Sequence, residues 1–219
     1  MKYKGVIFDL DGTLENTLED LADSANWSLR KLGVPEHPVD SYRLKIGSGR
    51  RILAELALPP DRQDLLDDFI HLMWQRYSAH YLDKTRLYDG VAEMLGELRE
   101  RGVRLAVLSN KPHEFAELMV RELMADVEFE IVLGHRDGAV AKPDPAGALG
   151  IAAEMGIEPS RFLYVGDTDI DMMTGRSAGM FTVGVLWGFR DRAELLGAGA
   201  EALAEKPMDL VRLAEKGRC

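Results

Sequence analysis

The sequence predicts an α/β fold in which a parallel, doubly wound sheet is interrupted by a helical insertion, and three observations carry that prediction. Short apolar runs rich in Val, Ile, Leu and aromatics each stop at a polar residue and give way to helical periodicity. Three of these runs are almost continuously apolar, as strands covered on both faces must be. From residue 90 onward strands and helices alternate as β-α-β-α, which requires crossover connections and hence parallel strands.

The elements follow in order. Gly5-Val6-Ile7-Phe8 is read as the first strand. Residues 16–85 then break the rhythm: they hold no strand-like run and read as several helices separated by Gly33-Val34-Pro35 and Leu58-Pro59-Pro60-Asp61. The insertion is bounded near Glu15-Asn16 and Lys84 to Asp89, where the chain becomes polar, so residues 1–15 and 86–219 form the core and 16–85 the insert. Strands are read at Leu105 to Leu108, Phe129 to Leu133, Phe162 to Val165 and Phe181 to Val185. Helices are expected at 90–101, 113–124, 145–155 and 170–178. Asp144-Pro145 reads as an N-cap followed by proline in the first helical position, and Gly102 and Gly156 read as helix stops. A helix from Asp61 to Leu82 places Phe69, Met73, Trp74, Tyr77 and Tyr81 at helical spacing, a pattern of core packing, with a dimer surface as the alternative. Monomer and homodimer both stay open.

Composition narrows the function. The chain of 219 residues is 46% hydrophobic and 29% charged, an ordinary globular composition. Its 27 Lys and Arg against 37 Asp and Glu leave a formal charge of −10, which repels polyanions and argues against nucleic acid as a partner. Cys219 is the single cysteine, so no internal disulfide forms and a cysteine nucleophile or thiolate metal site is not expected. The apolar run after Met1 ends at Asp9, too early for a signal peptide or a spanning helix, and a cytoplasmic protein without membrane association is the expectation.

Ligands of an open parallel sheet bind beyond the carboxyl ends of its strands, and the residues there are polar. The first strand ends in Asp9-Leu10-Asp11-Gly12-Thr13, the next in Ser109-Asn110, and another in Gly166-Asp167-Thr168-Asp169-Ile170-Asp171. Brought together, Asp9, Asp11, Asp167 and Asp171 would concentrate more negative charge than one crevice tolerates without a cation or retained protons. Oxygen donors with no cysteine or histidine pattern nearby favour a hard cation, and Mg²⁺ is the usual partner of carboxylates in phosphate chemistry. The competing reading makes each Asp a helix cap or turn residue.

Asp9 and Asp11 lie two apart, so an extended backbone sends both side chains the same way. One carboxylate would attack phosphorus to give an aspartyl phosphate while the other moves protons. Gly12 allows a tight turn, and Thr13 offers a hydroxyl. Lys142, the only Lys between Lys111 and Lys206, would balance the charge of nucleophile and phosphoryl group; the alternative is a solvated loop lysine. Ser109 and Asn110 would donate to phosphoryl oxygens, or simply cap a helix with Pro112 just inside it.

These residues in this order resemble the haloacid dehalogenase superfamily, and in particular its phosphatases. The motifs stand as Phe8-Asp9-Leu10-Asp11-Gly12-Thr13-Leu14, Leu108-Ser109-Asn110-Lys111, Lys142-Pro143-Asp144-Pro145, and Val165-Gly166-Asp167 with Asp171. The resemblance implies a Rossmann-like core with a helical cap inserted after the first motif. It implies Asp9 as nucleophile and Mg²⁺ ligand, and Asp11 as general acid/base and metal ligand through its backbone carbonyl. Ser109 with Asn110 and Lys142 would hold the phosphoryl group, Asp167 would bind Mg²⁺, and Asp171 would support it. Gly184-Val185-Leu186-Trp187-Gly188-Phe189 and Gly197-Ala198-Gly199-Ala200 are similar to the phosphoglycolate phosphatase branch. Ile46-Gly47-Ser48-Gly49-Arg50-Arg51 resembles the substrate loop of these caps, which brings Gly49 and Arg50 into the candidate substrate site, with a helix start bearing two solvated arginines as the alternative. Asn16 and Asp89 depart from the family pattern, which has Asp and Pro there.

The function expected is Mg²⁺-dependent hydrolysis of a small phosphorylated metabolite, 2-phosphoglycolate foremost, under a cap that excludes water. A phosphomutase similar to β-phosphoglucomutase and a non-catalytic phospho-ligand binding protein of the same fold are the alternatives. A dehalogenase is disfavoured by the presence of Asp11 and Asp167.

Overall fold

The computed structural model describes residues 1–216, so Cys219 lies outside the described residues. The chain opens with β1 (Gly5–Phe8), passes through a two-residue strand β2 (Glu15–Asn16), and enters the helical insertion: α1 (Leu18–Lys31), α2 (Arg50–Ala57) and α3 (Leu66–His80). It returns through β3 (Arg86–Leu87), which pairs antiparallel with β2. The remainder runs α4 (Val91–Glu100), β4 (Arg104–Pro112), α5 (His113–Leu123), β5 (Ile131–His135), α6 (Ala146–Met155), β6 (Phe162–Gly166), α7 (Asp169–Ser177), β7 (Phe181–Val185), α8 (Arg192–Ala198), β8 (Ala202–Ala204) and α9 (Met208–Lys216).

Six strands form one parallel sheet in the order β5-β4-β1-β6-β7-β8. The order reverses around β1, where a crevice opens at the carboxyl ends. Period-2 alternation splits β1 between two apolar layers. Val6 and Phe8 join Leu105, Val107, Leu163 and Val165 beneath α4 and α9, while Ile7 joins Ala106, Phe162 and Tyr164 beneath α6. Both faces are covered, which is why β1 and β6 at the centre of the sheet are apolar throughout.

The helical insertion has its own apolar cluster. Leu18, Leu21, Ala22, Ala25 and Leu29 follow one face of α1 and meet Phe69, Met73 and Tyr77 of α3. Trp74 and Tyr81 pack against the same cluster, which is the core role expected of this aromatic row. Two aromatics from the sheet side, Phe115 and Phe189, complete it. Asp20 of α1 ties down the returning chain, accepting from the Lys84 and Thr85 backbone N–H groups and from the Thr85 hydroxyl at 2.8–3.1 Å.

Several elements differ from the sequence reading. β4 does not stop at Leu108 but continues to Pro112, regaining register with His135 of β5 beyond an irregularity. β5 starts two residues later than Phe129. The strands β2, β3 and β8 escape a periodicity search because they are only two or three residues long. The N-cap of α6 is Pro145, with the Asp144 carboxylate accepting from Ala146 N–H at 2.8 Å. In place of one helix from Asp61, a 3₁₀ segment over Pro60–Leu65 leads into α3.

Candidate active site

Asp9 stands immediately beyond β1, its N–H still bonded to Val165 of β6 at 3.0 Å, so strand pairing fixes where the carboxylate leaves the sheet. A tight turn follows, closed by Gly12 N–H to the Glu15 carbonyl at 2.8 Å. Gly12 has φ +87°, and a Cβ there would sit 2.2 Å from Asp167 Oδ2, so only glycine lets this turn pass under Asp167. Asp167 follows β6. Thr168 then caps α7 through a capping box in which its hydroxyl donates to Asp171 Oδ2 at 2.7 Å.

Lys142 joins these carboxylates from the loop before α6; its peptide bond to Pro143 is cis. Its ammonium lies 2.9 Å from Asp9 Oδ1 and 2.7 Å from Asp171 Oδ1, with all three side chains buried. Asp167 accepts from the Thr13 hydroxyl at 3.1 Å and from Phe189 N–H at 2.8 Å, and among the described residues no cation pairs with it. One oxygen from each of Asp9, Asp167 and Asp171 falls within 4.8 Å of the others. Burial, opposed by Lys142 and reinforced by Asp171 and Asp11, pushes the Asp9 carboxyl up to about 6. Burial and the charges of Asp171 and Asp9 push Asp167 well above the carboxylate range.

Three buried carboxylates therefore share one ammonium, a deficit of positive charge that a divalent cation would remove. The donors are all oxygens, which fits Mg²⁺. The cradle is also shaped around Asp167. A Cβ on Gly188 would lie 2.3 Å from its Cβ, and a Cβ on Gly166 would lie 2.2 Å from Asp171 Cγ.

Asp11 belongs to a second cluster. Its Oδ1 accepts from the Thr17 hydroxyl and from Lys111 Nζ, both at 2.7 Å, while Oδ2 has no protein hydrogen bond among the described residues. The Lys111 ammonium is buried and stands 5.0 Å from the ring centre of Tyr77; burial is the largest single influence on it and opposes the charge, but Asp11, Tyr77 and Glu15 together outweigh it and hold the ammonium charged. Glu15 is wholly buried with neither carboxylate oxygen hydrogen-bonded, and burial raises it to about 8 despite the nearby Lys111 charge. Glu15 had marked the polar edge of the insertion in the sequence; in the fold it is interior.

The residues expected to meet a phosphoryl group divide. Ser109 is buried beside Asp9 and Asp11 at a small pocket of about 30 Å³, and its hydroxyl hydrogen is not used by the protein: the oxygen only accepts from Lys111 N–H at 3.3 Å. Asn110 is different from the expectation. Its amide donates to the carbonyls of Gly47 and Lys142 at 3.0 and 3.1 Å and accepts from Lys142 N–H at 2.9 Å, so its side chain is spent on positioning the Lys142 loop. Thr13 likewise turns its hydroxyl to Asp167 rather than to the pocket.

Gly49 and Arg50 border both the small pocket and a wider cleft of about 780 Å³ between the insertion and the sheet. Arg50 reaches across that cleft to Asp137 at 2.6 Å, and Arg51 pairs with Glu55 on its own helix at 3.0 Å. The insertion also leans on the chain after β7: Arg43 donates to the Gly188 carbonyl at 2.9 Å, and Arg190 donates to Arg43 and Ile46 carbonyls. Lys111, Thr17, Gly188 and Phe189 thus join the site without having been singled out. For Lys111 a signal was present, its place directly after Ser109-Asn110 at a strand end.

The model of the haloacid dehalogenase-like hydrolase family matches residues 6–185. A phosphoglycolate phosphatase from Mannheimia succiniciproducens is 31% identical over 220 residues, covering 97% of this chain and 98% of its own. An N-acetylmuramic acid 6-phosphate phosphatase from Pseudomonas aeruginosa is 30% identical over 227 residues, covering 100% and 98%. Among solved structures, a predicted phosphoglycolate phosphatase from Haemophilus somnus superposes with a TM-score of 0.88 at 27% identity, covering 97% of this chain and 98% of that one.

Proposed function

We propose, starting from the fact that the chain belongs to the haloacid dehalogenase-like hydrolase family, that it is a Mg²⁺-dependent phosphomonoester hydrolase working through an aspartyl phosphate. The observation that carries the proposal is the pair Asp9 and Asp11 on one small pocket, each tied to its own buried lysine. The substrate is a small phosphorylated metabolite met in the cytoplasm, with 2-phosphoglycolate the first candidate, since relatives bearing that name match nearly the whole chain.

In the first step an Asp9 carboxylate oxygen attacks phosphorus and the bond from phosphorus to the ester oxygen breaks. Asp11 serves as general acid, passing a proton to the departing alkoxide through Oδ2, the oxygen left open by Thr17 and Lys111. In the second step Asp11 takes a proton from water as that water attacks phosphorus, which releases phosphate and restores Asp9. Lys142 offsets part of the burial that raises the Asp9 carboxyl and faces the charge of the phosphoryl group. The Ser109 hydroxyl is free to donate to a phosphoryl oxygen. Asp9, Asp167 and Asp171 present the oxygens, with the Asp11 carbonyl expected to add one, for a Mg²⁺ that would neutralise carboxylate and phosphoryl charge. The insertion serves as a cap, with Gly49 and Arg50 at the rim.

A panel of phosphomonoesters including 2-phosphoglycolate and a phosphosugar, with and without Mg²⁺, tests the reading. Selective, Mg²⁺-dependent phosphate release that Asp9→Asn lowers by about 10³-fold or more is expected. No release from any panel member by folded wild-type protein with Mg²⁺ would overturn it.

A further inference from the structure

We infer that Lys111 and Trp74 form a subsite for a carboxylate carried by the leaving group one carbon away from the phosphate ester oxygen. The inference rests on the phosphatase reading and narrows its substrate class.

Its ground is a buried cation and a buried indole donor on one pocket. Lys111 Nζ donates to Asp11 Oδ1 at 2.7 Å and stands beside Tyr77 and Glu15. Trp74 carries a buried indole N–H with no partner. Both residues line the small pocket that holds Asp9 and Asp11. A buried donor left unpaired is costly, and the cost of the Trp74 N–H is recovered when an acceptor enters with the ligand.

Position decides which acceptor. The leaving oxygen has to lie against Asp11 Oδ2, and Lys111 grips the other oxygen of the same carboxylate. A carboxylate two bonds from the ester oxygen lies about one hydrogen-bond length from it, and so within reach of that ammonium. Charge agrees with position. A carboxylate entering a pocket already lined by Asp9 and Asp11 is repelled unless a cation stands beside it; of the two cations lining the pocket, Arg50 turns to Asp137, and Lys111 is the one beside Asp11. A carboxylate carried farther from the ester would fall into the wide cleft, where Arg50 and Arg51 stand.

The test compares 2-phosphoglycolate with ethyl phosphate, the same skeleton without the carboxylate, in wild type, Lys111→Met, Lys111→Arg and Trp74→Phe, all as the full chain with Mg²⁺. Because Lys111 also holds Asp11, the quantity read is the ratio of kcat/KM for the two esters rather than either rate. Lys111→Met is expected to cut the ratio at least tenfold, mainly through KM for 2-phosphoglycolate, with partial retention in Lys111→Arg and a few-fold loss in Trp74→Phe. Equal losses for both esters would reduce Lys111 to a support for Asp11 and overturn the subsite while leaving the phosphatase intact. Calorimetric binding of the two esters to Asp9→Asn protein, with and without Lys111→Met, reads the subsite without turnover. A preference for 2-phosphoglycolate that needs Lys111 upholds it even if hydrolysis is never seen, and no preference overturns it.

Discussion

Two lysines stand within one crevice, and they are built to different standards. Lys142 is the more engaged: two carboxylates hold its ammonium and the Asn110 side chain holds its backbone N–H and carbonyl, although the nearby Tyr164 hydroxyl is unpaired. Lys111 has one carboxylate in hydrogen-bond contact, Asp11, and both Glu15 oxygens near it are unpaired in the interior. Buried polar groups are ordinarily paired, so the finished end reads as preorganised machinery and the unfinished end as the side that changes when a ligand arrives. On the proposed reading, the Lys142 end faces what every phosphate monoester shares, and the Lys111 end faces what differs between them.

The sharpest way to break this contrast is Lys142→Met. It strands Asp9 and Asp171 without their cation and is expected to cost about 3–5 kcal/mol at neutral pH. The loss should shrink in acid, where the carboxylates protonate; chemical denaturation at two pH values reads both effects. Glu15→Gln should do the opposite. The Glu15 carboxyl is raised in the fold from 4.5 to about 8, so its ionised form is disfavoured there, and the wild type loses stability as pH rises through that window. The variant's advantage should grow by ~2–4 kcal/mol between pH 5 and pH 8 in urea titrations.

Gly188→Ala tests the finished end from another side. Its Cβ would meet Asp167 at 2.3 Å and the Gly12 carbonyl at 2.5 Å, so Asp167 has to shift. Mg²⁺ affinity by calorimetry should fall by about tenfold. Smallest is Asp137→Asn, which frees Arg50 from an exposed ion pair across the cleft. Stability should move by less than ~1 kcal/mol, while KM for an anionic ester should fall slightly because Arg50 no longer has a competing partner.

What the sequence discloses follows the same division. Strands β1, β6 and β7 are legible almost to the residue, because burial on both faces leaves only apolar side chains. The residues that end the strands are legible as a chemical set, and the fold does gather Asp9, Asp167 and Asp171. Illegible is how each polar atom is used. Asn110 and Thr13 have the donors that suit a phosphate, yet they give them to the Lys142 loop and to Asp167, a choice made by partners 32 and 154 residues away in sequence. Glu15 and Lys111 look like solvated charges because charged residues usually are; their burial follows from the helical insertion closing over the sheet, which no local pattern encodes. The family's Asp at position 16 is an Asn here, whose carbonyl accepts from Leu18 N–H at 3.3 Å at the start of α1, while Asp20 secures the hinge instead.

The central place of β1 bears on how the chain is made. The strand that presents Asp9 leaves the ribosome before both of its neighbours, β4 and β6, the farther of which begins at Phe162. At ~5–20 residues per second, roughly 8–30 s of synthesis separate β1 from its last partner. During that interval α1 and α3 are already able to bury their shared apolar faces, whereas an apolar strand waits unpaired. The slow, late event in the birth of this protein is the closing of the sheet around the strand that presents Asp9, and that waiting strand is where a chaperone would have most to protect.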